Sequence, residues 1–403
     1  MERIIVGVDV GCRKHRVAIG TPDGRIAEEF DVSHEKDGFD RFFRRLDFYR
    51  SSLGVPVVVA MEGCNGYASP LDRQVQDQGY TLLNVNNLKL NRFKEIFPSP
   101  AKTDAIDARK IVELARLQPL LPQAKNVLQE VHEIQESHRI LKRLTRRRRE
   151  LVDAKKRVMN RMQKDLQAVS PGLNDLVECK DGTIFLRFLT SRPDLKQLGR
   201  MRREGLLKIR GLGEKFADKV QAWQKRASFS REVDYVGPMI IEDAQEILRL
   251  KERVKILEEQ IEGLTAESGL SQTIGSIPGF GLTCTAELTA EIGTIDRFEN
   301  ERSLAFYLGM APLDRCSGGS VAVRPSKHVN TRAKAALMTA VAHHVRHVEQ
   351  SARYYRKKRD EGKRHNQAIR SLARHLIRVL WSMIKKGRLY EITDGRQLTE
   401  NDL

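Results

Sequence analysis

Four carboxylates have the residue type and the spacing to bind divalent cations. Asp9 and Glu62 each end a short apolar run, and Asp104 and Asp107 stand three residues apart, so they share one face of a helix. Carboxylate oxygens are the ligands that Mg²⁺ prefers, and two such ions about 4 Å apart can hold both the attacking and the leaving oxygen of a phosphoryl transfer. We therefore predict a Mg²⁺ or Mn²⁺ site built from these four acids.

A second set of residues could supply a nucleophile. Ser317 is followed by two glycines, so its backbone can be approached closely, and Arg315, Arg324 and Lys327 are near enough in sequence to hold an anion. A serine becomes nucleophilic only when a base or a metal activates it. By residue type alone Ser-Gly-Gly is usually a turn, so both interpretations stay open at this point.

The charge of the chain indicates a polyanionic partner. It has 403 residues, 71 Lys and Arg against 53 Asp and Glu, and a net charge of +18. Residues 139–164 contain twelve Lys and Arg against two acids, with leucines at helical spacing, which predicts a long basic helix. It either neutralises phosphates or is an ordinary solvated helix face. The residues that we predict to contact nucleic acid here are Arg139, Lys142, Arg143, Arg146, Arg147, Arg148, Arg149, Lys155, Lys156 and Arg157.

A glycine-bracketed turn offers a further phosphate contact. Gly279 and Gly281 lie in Ile-Pro-Gly-Phe-Gly, which is similar to a helix-hairpin-helix turn. Such a turn directs backbone N–H groups at a phosphate. The alternative is a plain helix–helix turn in which glycine allows a positive φ.

The elements that must position these residues begin with an α/β segment over residues 1–118. Apolar runs predict strands near 4–8, 16–20, 25–32, 55–61 and 81–85, and helical spacing predicts helices over 38–52 and 69–79. Three early antiparallel strands followed by alternating helix and strand are typical of a ribonuclease-H-like sheet. We expect an α/β plus α chain.

Residues 240–265 carry a heptad pattern, from Ile247 to Leu264. This helix could pair with the basic helix of the same chain or with another chain, and the sequence leaves both open. We divide the chain into an α/β domain (1–125), a basic helical or coiled-coil domain (126–270), a helical domain carrying the serine (271–360) and a basic helical tail (361–403).

Membrane and disulfide-rich classes are excluded by composition. No segment approaches the roughly 20 apolar residues of a membrane helix, and the N-terminus has no signal-peptide pattern. Five scattered cysteines without a CxxC pair indicate neither a zinc site nor a disulfide framework. We expect a cytoplasmic protein without membrane partners.

Taken together, the motifs resemble the IS110/IS1111 group of transposases, which are relatives of the Piv-type DNA invertases. The resemblance covers both ends of the chain in the right order, and the motifs are specific jointly. They are Val-Gly-Val-Asp at 6–9, Met-Glu at 61–62, Lys-Thr-Asp-Ala-Ile-Asp-Ala at 102–108, Ile-Pro-Gly-Phe-Gly at 277–281, Ala-Glu-Ile-Gly at 290–293, Phe-Tyr-Leu-Gly-Met-Ala-Pro at 306–312 and Ser-Gly at 317–318.

This resemblance implies a RuvC-like domain with a metal site at Asp9, Glu62, Asp104 and Asp107, a coiled-coil insertion and a C-terminal transposase domain. It also implies that Ser317 attacks a DNA phosphate and holds it covalently. Members of the group use a structured non-coding RNA, the bridge RNA, to pair with donor and target DNA. A dimer or tetramer, acting in the cytoplasm of a bacterium or archaeon and associated with the nucleoid, is expected because two DNAs must be joined.

Two other functions compete with an RNA-guided recombinase. A structure-specific endonuclease of the Holliday-junction resolvase kind would use the four acids with water as the nucleophile and would not need Ser317. A non-catalytic nucleic-acid-binding protein would need neither, and the presence of all four acids argues against it.

Overall fold

The computed structural model describes residues 2–64, 69–96, 104–120, 127–317, 320–325 and 329–391, and within them all side chains except those of residues 69, 88, 96, 104, 312–317 and 320–325. The chain forms two compact units, residues 1–133 and 134–403. The first holds a mixed sheet and the described part of the second is mostly helical, so the predicted α/β plus α class is confirmed at this level. The finer division into four domains stays a prediction.

The sheet of the first unit has six strands in the order β3-β2-β1-β4-β5-β6. They are β1 (Ile4–Asp9), β2 (Lys14–Gly20), β3 (Ile26–Ser33), β4 (Val57–Glu62), β5 (Thr81–Val85) and β6 (Leu128–Glu130). Strands β1, β4 and β5 are parallel, whereas β2, β3 and β6 each run antiparallel to a neighbour. The five predicted strands are present, β6 was not predicted, and the arrangement is consistent with a ribonuclease-H-like domain.

Both faces of this sheet are covered by helices. These are α1 (Lys36–Leu53), α2 (Ser69–Asp77), α3 (Asn87–Ile96) and α4 (Asp104–Leu117), followed by a 3-10 turn at Gln118–Leu120. Phe42 of α1 and Leu71 of α2 pack on the face that carries Val6, whereas Ile111 of α4 packs on the face that carries Ile5. Alternate residues of a strand point to opposite faces, so odd-numbered residues of β1 face α4.

The second unit contains thirteen helices and one hairpin within the described residues. The helices are α5 (Glu136–Val169), α6 (Pro171–Asn174), α7 (Thr183–Leu189), α8 (Leu195–Leu198), α9 (Arg203–Leu207), α10 (Glu214–Gln224), α11 (Val233–Ala266), α12 (Gly269–Gly275), α13 (Leu282–Ile292), α14 (Glu301–Tyr307), α15 (Thr331–His347), α16 (Glu349–Asp360) and α17 (His365–Lys386). The hairpin consists of β7 (Pro312–Ser317) and β8 (Ser320–Pro325).

The two longest helices, α5 and α11, pack side by side in antiparallel directions. Arg148 near the start of α5 pairs with Glu258 near the end of α11, and Arg161 pairs with Asp243 at the opposite ends. The heptad-bearing helix therefore packs against the basic helix of the same chain, which was one of the two arrangements that the sequence left open.

Two large apolar clusters form around this pair. One joins the C-terminal part of α5 to helices α6–α10 and the first half of α11. The other joins α12–α15 to α17, whose Leu372, Leu376 and Leu380 are buried. We predicted a basic tail over residues 361–403; within its described part, α17 is an amphipathic helix that belongs to the core of the second unit.

Candidate active site and nucleic-acid interface

Asp9 and Glu62 lie at the same edge of the sheet and on the same face. Parallel pairing sets Val8 of β1 opposite Met61 of β4, and each acid is the next residue of its strand. Gly7 and Ala60, which precede them by two residues, both face α4. Because the side-chain period of a strand is two, Asp9 and Glu62 also point to that face. Both are partly buried.

Helix α4 crosses β1 at Gly7 with almost no space between the backbones. A Cβ atom at Gly7 would stand 2.8 Å from Cγ2 of Val112 and would also overlap the carbonyl oxygen of Ala108. Arg3 at the start of the sheet donates to the carbonyl oxygen of Ala115, at 3.3 Å, so α4 runs antiparallel to β1. The first turn of α4 therefore lies at the edge where β1 ends.

The backbone of Asp104 reaches the level of Asp9. Asp9 is two strand positions beyond Gly7, which is about 7 Å, and Asp104 is four helical positions before Ala108, which is about 6 Å. Asp104 and Asp107 share the face of α4 that carries Ala108. The structure thus brings all four predicted acidic positions to one edge of one face, although the side chain of Asp104 lies outside what it describes.

Asp107 has a cationic partner that sequence reasoning missed. Its Oδ2 atom lies 2.9 Å from Nζ of Lys94 on α3, and the two side chains are only 14% and 18% exposed. Nothing in the sequence near Lys94 marks it as part of the site, since its partner comes from a different helix. The ammonium compensates the charge of Asp107 where the neighbouring acids converge.

The chemistry of this donor set fits a divalent cation. Carboxylate oxygens from two strand ends and one helix turn are hard ligands of the kind that Mg²⁺ and Mn²⁺ take. Among the described side chains, which do not include that of Asp104, no three His, Cys, Asp or Glu residues stand close enough to hold a metal ion. The described acids therefore do not form a metal-binding group by themselves, and the side chain of Asp104 would have to join them.

Charged residues of β2 and β3 tie α4 to the sheet beside the acids. Arg16 is paired in register with Asp9, and it donates to Asp31 at 3.1 Å. Arg109 of α4 donates from Nη2 to Glu29 at 2.8 Å, and this hydrogen bond lowers the pKa of Glu29 below its usual value. The pair of Arg109 and Glu29 holds the helix that carries Asp107 on the sheet, and the pair of Arg16 and Asp31 joins β2 to β3 beside it.

The close approach at Gly7 yields a stability prediction. Gly7→Ala should destabilise the first unit by about 1–3 kcal/mol, because overpacking forces α4 away from β1. Gly263→Ala is the matched control: position 263 lies within α11 with open space around an added Cβ, so the change should stabilise by up to about 1 kcal/mol. Thermal or urea unfolding measures both. Equal stabilities of wild type and Gly7→Ala would mean that α4 does not rest on β1 in this way.

In the second unit, the predicted nucleophile lies at the end of a strand. Ser317 is the last residue of β7 and is paired with Ser320 of β8. Directly paired residues of an antiparallel hairpin share a face, so positions 315 and 324 lie on the same face as position 317. The structure does not describe the side chains of Ser317, Arg315 and Arg324. Lys327 lies wholly outside the described residues. A strand here was not predicted.

Comparison with known proteins identifies the family. A family model of DEDD transposases of the IS110 type, described as "Transposase", matches residues 6–171, and a second, described as "Transposase IS116/IS110/IS902 family", matches residues 271–356. The chain belongs to the IS110 family of transposases. The first match includes all four acidic positions, and the second includes Gly279, Gly281 and Ser317. A transposase acts on DNA, and the DEDD family indicates a divalent-metal requirement.

Curated relatives extend over nearly the whole transposase. The chain is 28% identical to the "Insertion element IS116 uncharacterized 44.8 kDa protein" of Streptomyces clavuligerus, with 96% of each chain covered. It is 26% identical to the corresponding 43.6 kDa protein of insertion element IS110 of Streptomyces coelicolor, with 96% and 95% covered. It is 28% identical to the 42 kDa protein of insertion element IS900 of Mycobacterium paratuberculosis, with 96% and 97% covered.

The arginine run of α5 makes intramolecular ion pairs in this transposase. Arg146 donates to Glu291 at 2.8 Å, Arg148 lies 2.6 Å from Glu258, and Arg149 pairs with Glu287. These acids lie on α11 and α13, more than a hundred residues further along the chain. We predicted that the run contacts nucleic acid, but much of its charge joins α5 to its neighbours.

Other basic residues of α5 face solvent. Arg143, Arg147, Lys156 and Arg157 are exposed, and Arg147 makes only an exposed pair with Glu150. Of the remaining predicted contacts, Arg139 and Lys142 are half-buried, and Lys155 lies 2.6 Å from Asp181. The exposed residues are therefore the better candidates for a phosphate-binding surface.

The glycine turn before α13 is explained in large part by packing. Gly279 has φ +86°, and an added Cβ would stand 2.5 Å from the backbone nitrogen of His344. His344 is buried, and its Nδ1 lies 2.7 Å from the carbonyl oxygen of Pro278. The turn thus docks on α15. Gly281 directly precedes α13 and has open space around it, and the phosphate contact that we predicted there stays a prediction.

None of the helices in the described ranges is both long enough and apolar enough to span a membrane. This finding agrees with the composition.

Proposed function

We propose that this insertion-sequence transposase cuts and exchanges DNA strands with a divalent cation and a serine nucleophile, guided by a structured non-coding bridge RNA. The observation that carries the proposal is the convergence of Asp9, Glu62 and the first turn of α4 at one edge of the sheet. That arrangement suits phosphodiester chemistry, and the positive charge of the chain suits its substrate.

Asp9, Glu62, Asp104 and Asp107 would hold the metal, which we propose to be Mg²⁺ or Mn²⁺. When bound, it would supply positive charge to the phosphoryl oxygens and lower the pKa of a nearby hydroxyl. Lys94 compensates Asp107 and thereby keeps this acid in place beside the others. Arg109 and Glu29 hold α4 on the sheet, so the two acids of its first turn stay at the strand ends.

Ser317 would be the covalent nucleophile. Attack by its hydroxyl forms a bond from the serine oxygen to phosphorus and breaks the bond from phosphorus to a deoxyribose oxygen, which leaves as a free hydroxyl with the proton. Attack by the hydroxyl of a second strand reverses the step, restores the serine and seals the new joint. The number of phosphodiester bonds is conserved, so no high-energy cofactor is consumed.

We propose that the exposed basic residues of α5 bind the guide RNA or the DNA that it pairs with. Arg143, Arg147, Lys156 and Arg157 support this, because exposed charges can neutralise phosphates whereas paired ones cannot do so freely. The antiparallel pair of α5 and α11 would form a coiled-coil arm that presents these residues. A dimer or tetramer would hold donor and target DNA, in the cytoplasm and at the nucleoid.

Reconstitution tests the proposal. The protein should be expressed with the DNA that surrounds its own reading frame, purified, and its bound RNA sequenced. We expect recombinant junctions between donor and target duplexes only with that RNA and with Mg²⁺, and none in EDTA. Formation of recombinant junctions at an equal rate without RNA would contradict the proposal that an RNA guides the reaction. Cleavage without joining would favour a structure-specific nuclease.

A further inference from the structure

Three cations of the second unit contact one buried residue, Glu291, between the two segments that flank the β7–β8 hairpin, and a fourth, Arg332, acts electrostatically on one of them. Glu291 of α13 is 2% exposed and accepts hydrogen bonds from Nε and Nη2 of Arg146, at 2.8 and 3.0 Å. Nζ of Lys142 lies 3.9 Å from the same carboxylate. Arg297 donates to the backbone oxygen of Glu291 at 3.3 Å. We call Lys142, Arg146, Arg297 and Arg332 the foot cluster.

The foot cluster is positioned by the two chain segments that enter and leave the hairpin. Asn330 lies directly before α15. Its backbone N–H donates to the carbonyl oxygen of Tyr307 at 2.9 Å, and its side-chain amide donates to the carboxylate of Glu291 at 2.7 Å. The hydroxyl of Tyr307 donates to the backbone oxygen of Glu291 at 2.7 Å. The guanidinium of Arg297 stacks on the Tyr307 ring, 4.6 Å from its centre. These contacts connect the cluster to one residue on each side of the hairpin segment, Tyr307 and Asn330.

Among the described side chains, Lys142 and Arg146 meet the single carboxylate of Glu291, Arg297 lies on its backbone oxygen, and Arg332 is close enough to act on Lys142. These contacts leave a surplus of positive charge. Burial lowers the pKa of Lys142; Glu291 acts to raise it, but burial together with the nearby Arg146, Arg297 and Arg332 keeps this pKa below its usual value. For Glu291, burial acts to raise the pKa, but Arg146, Lys142 and Asn330 outweigh it, so the pKa lies below its usual value. Such a surplus is stabilised by a bound anion.

We propose that the foot cluster binds a backbone phosphate of the DNA on which Ser317 acts, and this inference rests on the proposed function. Arg332 is exposed at the second residue of α15, so its guanidinium is free to reach a ligand while Arg146 and Arg297 keep their contacts. Planar guanidinium groups match phosphate oxygens in pairs.

The bound phosphate would lie beside the reaction centre and not at it. Ser317 is five positions beyond Pro312 along β7, so the serine stands up to about 17 Å from the start of the hairpin. A DNA strand rises about 3.4 Å per nucleotide, so the length of β7 corresponds to roughly five nucleotides of strand. The foot cluster would hold the strand in register with Ser317.

Substitution of Arg332 distinguishes binding of DNA at the foot cluster from a general effect of the positive charge of the protein. Arg332→Gln removes one exposed charge without touching the hydrogen bonds of Glu291, and Arg302→Gln, on the exposed face of α14, is the matched control. With a short DNA duplex, we expect Arg332→Gln to bind roughly tenfold more weakly and to reduce the salt slope by about one. Arg302→Gln should stay within about twofold of wild type. Equal effects of the two variants would overturn the proposal.

Lysine labelling gives a readout that a purely structural role would not change. Because its pKa is lowered, Lys142 should react with an amine-selective reagent at pH 8 faster than an exposed lysine such as Lys215. Saturating DNA duplex should protect Lys142 at least tenfold and leave Lys215 labelled. Undiminished labelling of Lys142 would overturn the site, and protection by an RNA duplex alone would overturn its assignment to DNA. If wild type neither binds nor exchanges DNA, the proposed function fails instead.

Discussion

Ser317→Ala should abolish strand exchange while nucleic-acid binding survives. Loss of a covalent nucleophile typically lowers the rate by at least about 10³-fold, because no neighbouring group replaces its oxygen. The reaction should be followed with labelled donor and target duplexes, together with denaturing gels that detect protein–DNA adducts. We expect adducts with wild type and none with Ser317→Ala.

Ser320→Ala is the natural control for this experiment. Ser320 is paired directly with Ser317 across the hairpin, so its replacement has a similar effect on the turn. It should retain adduct formation and exchange within a few-fold of wild type. If the Ser317→Ala protein were fully active, the nucleophile would be water. The transposase would then share the mechanism of the junction resolvases.

Asp9→Asn should remove metal-dependent cleavage. The amide keeps the size of the side chain but loses the charge at the strand end that faces α4, so we expect a rate at least about 10³-fold lower and a weaker binding of Mn²⁺. Calorimetry with Mn²⁺ on the free protein measures the binding separately from the reaction.

Glu113→Gln provides the matched loss of a carboxylate. Glu113 lies on α4 but is exposed and is not part of the acidic edge, so cleavage and Mn²⁺ binding should match wild type. If Asp9→Asn bound Mn²⁺ as tightly as Glu113→Gln does, Asp9 would be removed from the ligand set, whatever its effect on turnover.

Much of the first unit was predictable because its signals are local. Buried parallel strands are short apolar runs rich in β-branched residues, and β1 and β4 each begin with three such residues. The i, i+3 spacing of Asp104 and Asp107 predicts a shared helix face, and the structure agrees. By contrast, β6 has three residues with a single buried apolar side chain, too little for a pattern.

The remaining features depend on contacts that a local pattern does not contain. The partners of Arg146 and Arg149 lie 145 and 138 residues away, so the run reads as a free basic surface in the sequence. The sequence around Gly7 does not show why a glycine is needed there. In the structure, the missing side chain lets α4 pack directly on the backbone of β1. The hairpin of β7 and β8 lacks an alternating apolar pattern, and its glycines suggested only a turn.

The length of α5 has a mechanical consequence. From Leu141, which packs with α13, to Leu166, which packs among the helices of the first apolar cluster, the helix spans about 38 Å. Its antiparallel partner α11 braces it against bending. The helix therefore sets a fixed spacing. A ligand bound near Leu166 is held about 38 Å from the end of α5 that lies near the foot cluster.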